Sequence, residues 1–235
     1  LALYILMNEL PLDATPFGSE NIVVIMTGPL TGNGFTPGGT KMTAVYLSPL
    51  TNTTLGRGAT SGYWGTYLKA AGYDGIILNG AAPKPVYLYI KDGKPELRDA
   101  AQVWGAGTRD TEDRLRDIVG NRDARVLCIG PAGENLNRAA MLANDYNHFA
   151  AHSGGAVFGS KKLKAIVVSG TLRPSYRNKA KLAEAGLRWR NVLQQHDVKK
   201  KKTKYGHGDA WGALNNLNWR STDIPGRILP ARALY

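Results

Sequence analysis

Short apolar runs rich in β-branched and aromatic residues recur through the first 170 residues, and glycine-rich or polar turns separate them. Such runs predict β-strands. The predicted strands cover residues 21–27, 42–47, 75–78, 86–91, 125–129 and 163–169. Because helical stretches do not alternate with these strands one to one, the pattern favours an α+β domain over a parallel βαβ series.

Helical periodicity is found in three stretches, at residues 63–71, 111–119 and 179–195, and we expect a side-chain cap for the second within residues 108–111. The chain also opens at Leu1 in an amphipathic helical pattern, without a methionine, which predicts a piece of a longer protein. No apolar run reaches the roughly 18 to 20 residues of a membrane span, and the opening segment, residues 1–10, is too short and acidic for a signal peptide. A soluble, cytoplasmic protein is therefore expected.

The composition changes after Gly170, where the chain becomes basic and helical. We predict a boundary at residues 171–176, with one domain at 1–170 and the start of a helical second domain at 171–235. Residues 1–170 carry 16 Lys and Arg against 14 Asp and Glu, whereas residues 171–235 carry 14 against 4. The net charge of +12 is thus concentrated around Lys199-Lys200-Lys201-Lys202. This run lacks interleaved aromatic residues, so a solvated helix end is favoured and a nucleic-acid partner is not expected.

A weak internal repeat divides the first 170 residues. Gly28-Pro29 is followed by Ser61-Gly62-Tyr63-Trp64-Gly65, then Leu68-Lys69-Ala70 and a strand ending at Gly80; Gly130-Pro131 is followed by Ser153-Gly154-Gly155, then Leu163-Lys164-Ala165 and a strand ending at Gly170. The repeat predicts two similar halves that could grip a ligand with two-fold character. Glycine turns that recur by chance are the alternative.

Three glycine-rich stretches, residues 37–41, 56–65 and 152–159, qualify as ligand-binding loops because glycine lets backbone N–H groups approach an anion closely. Lys41, Arg57, His148 and His152 lie in or beside them and suit phosphates or a polar heterocycle. Ordinary turns with solvated charges are the competing interpretation. Neither the P-loop pattern nor the dinucleotide fingerprint occurs in the sequence.

Conventional catalytic patterns are missing. The four histidines show no metal-binding spacing, and Cys128, inside an apolar strand, is expected to be a buried structural thiol. As the single cysteine, it cannot form an internal disulfide or supply all the ligands of an iron–sulfur cluster. Asp145 and Glu134 are candidate general acids or bases, although the setting of Glu134 suggests that it holds a loop through backbone N–H groups.

Eight motifs occur in a fixed order between residues 28 and 166: Gly28-Pro29-Leu30-Thr31-Gly32, Ser48-Pro49-Leu50-Thr51, Ser61-Gly62-Tyr63-Trp64-Gly65, Leu68-Lys69-Ala70-Ala71-Gly72-Tyr73-Asp74, Lys84-Pro85-Val86-Tyr87-Leu88-Tyr89-Ile90, Gly130-Pro131-Ala132-Gly133-Glu134-Asn135, Asn144-Asp145 and Gly159-Ser160-Lys161-Lys162-Leu163-Lys164-Ala165-Ile166. Together they resemble the N-terminal domain of the aldehyde ferredoxin oxidoreductase family. The resemblance covers residues 1–170.

The resemblance implies two similar β-sheet halves that form a base for tungsten, or molybdenum, held by two pyranopterin dithiolenes. It also implies a magnesium ion that bridges the pterin phosphates and is bound by the backbone carbonyls of Ala59 and Phe149. Further cofactor contacts are implied at Gly39, Thr40, Lys41, Ser61, Gly62, His148, Ala151 and His152. Beyond Thr171, Lys204-Tyr205-Gly206 and Asn215-Asn216-Leu217-Asn218 are similar to the start of the family's helical domain.

The activity implied is the interconversion of aldehydes and carboxylates. Electrons would pass through a 4Fe-4S cluster, ligated outside this chain segment, to ferredoxin or an iron–sulfur partner subunit, and a homo- or hetero-oligomer is expected. This segment alone would be inactive. Within the same family, a tungsten-dependent benzoyl-CoA reductase-like subunit is the alternative.

The sequence departs from the family pattern at the implied site. Thr40 and Lys41 stand where family members commonly have an arginine, and His148 and His152 replace two further arginines. Lysine supplies charge without a planar bidentate fork, and histidine is only partly charged at neutral pH. A non-catalytic scaffold that keeps the fold for assembly is therefore also considered.

Overall fold

The computed structural model describes residues 1–196, which belong to two compact units. The first unit comprises Leu1–Gly34 and Gly38–Tyr176, and the second begins its main segment at Arg177. No helix in this described part of the chain is long and apolar enough to span a membrane. The lysine run and the two motifs similar to the family's helical domain lie outside the described residues, so the expected second domain stays a prediction.

The helices of the first unit are α1 (Ala2–Glu9), α2 (Trp64–Ala70), α3 (Thr108–Ile118), α4 (Pro131–Glu134) and α5 (Gly154–Ser160), and α6 (Lys179–Gln195) belongs to the second unit. The strands are β1 (Val23–Thr27), β2 (Met42–Leu47), β3 (Leu55–Thr60), β4 (Gly75–Leu78), β5 (Val86–Lys91), β6 (Lys94–Asp99), β7 (Arg125–Cys128), β8 (Leu142–Asn144), β9 (His148–Ala150) and β10 (Leu163–Ser169).

Two sheets form the first unit. The smaller sheet is antiparallel, with the strand order β3-β2-β1-β4, and the larger has the order β6-β5-β10-β7-β8-β9. All pairs in the larger sheet are antiparallel except β5 with β10. Helices and mainly antiparallel strands share one domain, which confirms the α+β prediction.

The two halves predicted from the repeat are present in the topology. β1-β2-β3-α2-β4 corresponds to β7-β8-β9-α5-β10, and the sheet order of the first set recurs in the second. The registers also agree, because Met26 pairs with Thr43 and Gly75 while Cys128 pairs with Ala143 and Ala165. Following these registers, residues 58–65 are equivalent to residues 148–155. The β5–β6 hairpin is an addition to the second half.

Two details of the predicted repeat are wrong. By the strand registers, Ser61 and Gly62 correspond to Ala151 and His152 and not to Ser153 and Gly154. Leu68-Lys69-Ala70 lies in α2, whereas Leu163-Lys164-Ala165 begins β10, so these similar triplets are not structural equivalents. The helical triplet corresponds instead to residues 158–160 in α5. Local similarity of three residues did not distinguish the end of a helix from the beginning of a strand.

The core joins the halves by exchanging their helices. Helix α2 of the first half packs on β7 and β10 of the second, and α5 of the second half packs on β2 and β3 of the first. One buried cluster accordingly contains Tyr46, Trp64, Phe158 and Ile166. The indole Nε1 of Trp64 donates to the Ile166 carbonyl at 2.9 Å, so a buried polar group of one half is satisfied by the other.

The predicted elements are largely present, with informative exceptions. Four strands and α6 have the predicted bounds, while β1 and β7 are shorter than predicted. Strands β3, β6, β8 and β9 were not predicted. For β6 a signal existed in Asp92-Gly93, which forms the hairpin turn with φ of +46° and +82°.

The predicted cap of α3 is wrong. Gly107 is the N-cap and makes no side-chain hydrogen bond, and Thr111 Oγ1 instead donates to the Gly107 carbonyl at 2.8 Å. Thr108, the other capping candidate, is already helical. The loop before α3 is held by a different contact, from Glu134.

Glu134 and Cys128 behave as their sequence settings predict. Glu134 Oε2 accepts from Gly105 N at 2.8 Å, and its other oxygen pairs with the buried Lys164, whose Nζ also donates to the Ala106 carbonyl. Cys128 is fully buried, and burial raises the pKa of its thiol well above the usual range. Both residues therefore have structural roles.

Candidate functional site

The edge strands β3 and β9 lie beside each other where the two sheets meet. Gly58 makes this approach possible, because a Cβ atom there would be only 2.7 Å from the Ala151 carbonyl oxygen. Ala59 and Phe149 are exposed while their neighbours Thr60 and Ala150 are buried. The two residues implied as magnesium ligands are thus structural equivalents on adjacent strands, both with side chains directed away from the core.

Each edge strand leads through a left-handed turn into a helix. In the first half the turn is at Gly62, with φ of +83°, and in the second it is at His152 and Ser153, with φ of +70° and +77°. Left-handed backbone is favourable for glycine and strained for other residues. The equivalent residues Gly62 and His152 are thus both left-handed, whereas the next residues differ, because Tyr63 has φ of −102° and Ser153 has φ of +77°. The two halves therefore share the position of the turn before the helix and differ in its detail.

Residues 39–41 lie over the first of these turns. Lys41 Nζ donates to Ser61 Oγ at 3.0 Å, and the carbonyls of Thr40 and Lys41 come within 3.5 Å of the position that a Cβ on Gly65 would take. Gly39 is tied into the preceding turn, since its carbonyl accepts from Gly32 N at 2.8 Å. Five of the ten predicted site residues, Gly39, Thr40, Lys41, Ser61 and Gly62, therefore lie together in the first half.

The second half brings together His148, Phe149, Ala151 and His152 around β9 and its turn. Within the described chain, His148 Nδ1 and Ser153 Oγ are buried without a hydrogen-bond partner. Buried polar atoms in folded proteins are nearly always paired. The two atoms fit a polar ligand held in this half, and Ser153 adds a site residue that was not singled out as a cofactor contact.

The charge on this surface is mainly positive. Arg57 and Ala59 alternate with buried residues on β3 and therefore share its exposed face, and Lys41 lies at the neighbouring turn. In the second half, His148 and His152 supply nitrogen donors. The nearby carboxylate of Asp145 is turned inward, where Arg125 Nη1 approaches its Oδ1 at 3.3 Å. Cations and backbone amides without an exposed acid suit a phosphate-bearing ligand.

Asp145 is an anchor in this structure. Its Oδ2 accepts from Tyr63 N at 2.5 Å, and its side chain is only 11% exposed. The preceding Asn144 amide is assigned the orientation in which its nitrogen faces two oxygen acceptors: it then donates to the Ser61 carbonyl and to Asp145 Oδ2 and accepts from Thr60 Oγ1, each at 3.1 Å. The motif Asn144-Asp145 thus positions the first-half turn, a role different from the acid–base role considered from sequence.

Tyr46 is a second residue near the site that the sequence did not single out. It is fully buried in β2, and its hydroxyl donates to the His152 carbonyl at 2.7 Å, with the Ala151 carbonyl at 3.3 Å. Nothing in its apolar strand setting distinguishes it from an ordinary core tyrosine. Its role depends on the second half lying against the first.

Comparison with known proteins agrees with this architecture. A family model described as the aldehyde ferredoxin oxidoreductase N-terminal domain matches residues 1–170. The chain therefore belongs to the aldehyde ferredoxin oxidoreductase family. The tungsten-containing aldehyde ferredoxin oxidoreductase of Pyrococcus furiosus is 45% identical over 172 residues, covering 73% of this chain and 28% of that protein.

Two further relatives are named for an aldehyde ferredoxin oxidoreductase and for an aliphatic sulfonate oxidoreductase. The tungsten-containing aldehyde ferredoxin oxidoreductase of Thermococcus kodakarensis is 43% identical over 182 residues, covering 77% of this chain and 30% of the relative. The WOR-like subunit of an aliphatic sulfonate oxidoreductase from Pyrococcus furiosus is 39% identical over 189 residues, covering 73% of this chain and 29% of that subunit. The chain thus spans less than a third of the length of these relatives.

A solved structure shares the fold. The active site complex BamBC of benzoyl coenzyme A reductase, in complex with 1,5-dienoyl-CoA, superposes with a TM-score of 0.76 at 31% sequence identity. The match covers 83% of this chain and 30% of that chain. The fold described here is therefore found in oxidoreductases of more than one substrate class.

Proposed function

We propose that this chain forms the base on which an oxidoreductase holds a tungsten, or molybdenum, bis-pyranopterin. The observation that carries the proposal is the pair of equivalent cradles: β3 with the Gly62 turn, and β9 with the His152 turn. A ligand made of two pterins has the same two-fold character. The unpartnered polar atoms of His148 and Ser153 fit such a ligand.

Each half would contribute one magnesium ligand and its own set of pterin contacts. The carbonyls of Ala59 and Phe149 would bind the magnesium ion that joins the pterin phosphates, since oxygen ligands suit this cation. Lys41, Ser61 and the backbone at Gly39, Thr40 and Gly62 would contact one pterin, and His148, Ala151 and His152 the other. The cofactor supplies the two-electron chemistry, and the protein supplies binding, orientation and charge.

The reaction proposed is the interconversion of an aldehyde and a carboxylate. Its electrons would leave through a 4Fe-4S cluster whose ligands lie outside this chain segment, because the sequence contains one cysteine and that residue, Cys128, is fully buried. Ferredoxin, or an iron–sulfur subunit of a homo- or hetero-oligomer, would accept them. The named activities of the tungsten-containing relatives support this assignment.

A benzoyl-CoA reductase-like role is the second candidate, and the similarity to the BamBC structure favours it. The residues described here hold the cofactor and do not select between an aldehyde and an aromatic thioester. A third candidate is a scaffold without metal. It is favoured by Lys41, His148 and His152, which stand where family members commonly have arginines.

Metal and pterin analysis of the purified protein, produced with tungstate and molybdate available, separates the enzyme candidates from the scaffold. About one tungsten or molybdenum and two pterins per chain are expected from the stoichiometry of a bis-pyranopterin centre. Folded protein with neither metal nor pterin would refute the proposal and leave the scaffold.

The site itself is tested with Gly62→Ala. A Cβ at this left-handed position would be 2.2 Å from the Asn144 side chain, so the turn must shift and metal content is expected to fall at least severalfold. Gly120→Ala is the matched control, because Gly120 has φ of +65° but open space around its Cβ position. Equal metal content in wild type and Gly62→Ala, with the variant folded, would place the cofactor elsewhere.

A further inference from the structure

We propose that the two half-sites are locked together by a reciprocal clasp, in which Tyr46 of the first half holds the cofactor turn of the second and Asn144 with Asp145 of the second half holds the turn of the first. We call residues 61–63 the first turn and residues 151–153 the second turn. The clasp is a positioning device. Its benefit to cofactor binding rests on the proposed function, whereas its geometry does not.

The first limb of the clasp is the Tyr46 hydroxyl. It crosses from β2 to the second turn and donates to the His152 carbonyl at 2.7 Å, with a weaker contact to the Ala151 carbonyl at 3.3 Å. Burial raises the pKa of this hydroxyl well above its usual range, so it remains a donor. A buried donor that loses its acceptor is costly, which makes opening of the second turn unfavourable.

The second limb runs in the opposite direction. The Asn144 amide, fully buried at the end of β8, donates to the Ser61 carbonyl at 3.1 Å, and Asp145 Oδ2 accepts from Tyr63 N at 2.5 Å. One backbone acceptor and one backbone donor of the first turn are thereby satisfied by consecutive residues of the other half. A Cβ on Gly62, between them, would lie 2.2 Å from the Asn144 side chain and 2.5 Å from Asp145 Oδ2, so both side chains occupy the space beside this glycine.

The limbs are matched in place but not in residue type. Ser61 and Ala151 are structural equivalents, and each has its carbonyl within reach of a donor from the second strand of the opposite half. By the strand registers Asn144 is equivalent to Ala44, and Tyr46 has no equivalent in the second half, because β8 ends at Asn144 and residues 145–147 form the turn to β9. Each half thus uses its own side chain for the same task, which explains why the repeat did not reveal it.

The second limb has a rigid base. Asp145 Oδ1 pairs with Arg125 at 3.3 Å and lies 3.9 Å from Arg116, and Tyr146 N donates to the buried Glu112 at 2.9 Å. These partners hold Asp145 and Tyr146 in left-handed backbone, with φ of +45° and +64°. The charged residues of α3 and β7 therefore support the hydrogen bond that Tyr63 N of the first half donates to Asp145. We infer that the spacing of the two turns is set by the clasp as a unit.

Hydrogen exchange measured by mass spectrometry tests the first limb, with Tyr46→Phe. Amides of residues 151–155 are expected to exchange roughly tenfold faster, because one buried hydrogen bond is lost, while residues 61–65 keep the wild-type rate. Tyr73→Phe is the matched control, since Tyr73 OH also donates to a carbonyl, that of Gly93 at 2.8 Å, away from both turns. Faster exchange restricted to β2 and β3, with residues 151–155 unchanged, would overturn the first limb.

Asn144→Ala tests the second limb. Here residues 61–65 are expected to exchange faster by a similar factor, and Asn21→Ala, which removes another fully buried amide bonded to backbone groups, should leave them unchanged. If both substitutions accelerate exchange uniformly through the first unit, the residues are ordinary core contacts and the clasp is refuted.

The same variants separate the clasp from the proposed function. Exchange is measured on protein without cofactor, so it reports the clasp whether or not a pterin binds. Tungsten content is then measured on loaded protein, and both Tyr46→Phe and Asn144→Ala are expected to lose metal at least severalfold relative to their controls. If the variants show faster local exchange but the protein never contains metal, the clasp stands and the proposed cofactor binding is refuted. If both variants have the metal content of wild type, the proposed role of the clasp in the site is refuted.

Discussion

Glu112 shows how burial changes the chemistry of a single residue. It lies in a helix segment with charged residues at most positions, yet it is fully buried, with Arg116 Nη2 at 3.1 Å from its Oε2 and Tyr146 N at 2.9 Å from its Oε1. Loss of water around the carboxylate raises the pKa of Glu112 to about 7. Its charged neighbours in sequence predicted exposure. The packing of α3 on β7 and β8 buries this carboxyl instead.

The raised pKa of Glu112 predicts a pH-dependent stability. Because folding raises this pKa from its ordinary value of 4.5, the protonated carboxyl stabilises the fold below about pH 4.5, and this contribution is lost as the pH rises to about 7. The unfolding free energy of wild type should therefore fall relative to Glu112→Gln across this window, by up to about 1.4 kcal/mol per pH unit. Denaturant unfolding of both proteins at several pH values measures the difference.

Asp117→Asn is the control for Glu112→Gln, because it removes an exposed carboxyl from the same helix. The difference in unfolding free energy between wild type and Asp117→Asn should change little between about pH 4.5 and pH 7. If the difference in unfolding free energy between wild type and Glu112→Gln stays constant between about pH 4.5 and pH 7, burial does not raise the pKa of Glu112.

At the scale of elements, glycine decides how closely α4 and α5 can pack. A Cβ on Gly159 would lie 1.9 Å from the Gly133 carbonyl oxygen, and a Cβ on Gly133 would lie 2.7 Å from the Gly155 carbonyl oxygen. The sequence prediction treated residues 152–159 as a loop because of the glycines in this segment. The segment 154–160 is instead helical and almost completely buried, since tertiary packing outweighs the low helix propensity of glycine.

Gly159→Ala is expected to lower the unfolding free energy by about 1–3 kcal/mol, because backbone cannot move aside as a flexible side chain can. Thermal or denaturant unfolding measures the change. Gly28→Ala is the matched control, since a Cβ there would meet only Thr31 Oγ1, at an ordinary 3.5 Å. An unchanged stability in Gly159→Ala would show that α4 and α5 can separate without cost.

Predictability also differs between strands. β2, β4, β5 and β10 were predicted with their observed bounds because each is a short, mainly apolar run. β3, with two glycines and an arginine, and β9, with three residues, were missed because they contain no such run. These two edge strands carry the candidate site. The resemblance to the family indicated their residues, and the structure brought them together.

At the scale of the whole molecule, the exchanged helices make the first unit one cooperative structure. Trp64 of α2 is fully buried and bonded to the Ile166 carbonyl in β10 of the other half. Neither sheet can keep its core if the other unfolds. We therefore expect the two sheets to unfold in a single transition.

Trp64→Phe tests this cooperativity. The smaller ring leaves a void and the Ile166 carbonyl without its donor, so the unfolding free energy should fall by about 2–3 kcal/mol. Hydrogen exchange should accelerate by a common factor in β1–β4 and in β7–β10. Trp104→Phe, at a partly exposed position, is the control. Acceleration in the first sheet alone would indicate that the halves unfold independently.

The sequence by itself determined the α+β class, the duplicated organisation, the structural roles of Cys128 and Glu134, and the family resemblance. These features depend on local composition, on hydrophobic runs and on motifs whose order along the chain is visible directly. The meeting of β3 with β9, the burial of Glu112, the helix at residues 154–160 and the clasp of Tyr46 with Asn144 and Asp145 were decided by tertiary structure alone. Each requires residues of the two halves, or of distant elements, to come into contact, and the energy of such contacts depends on three-dimensional packing that no local pattern encodes.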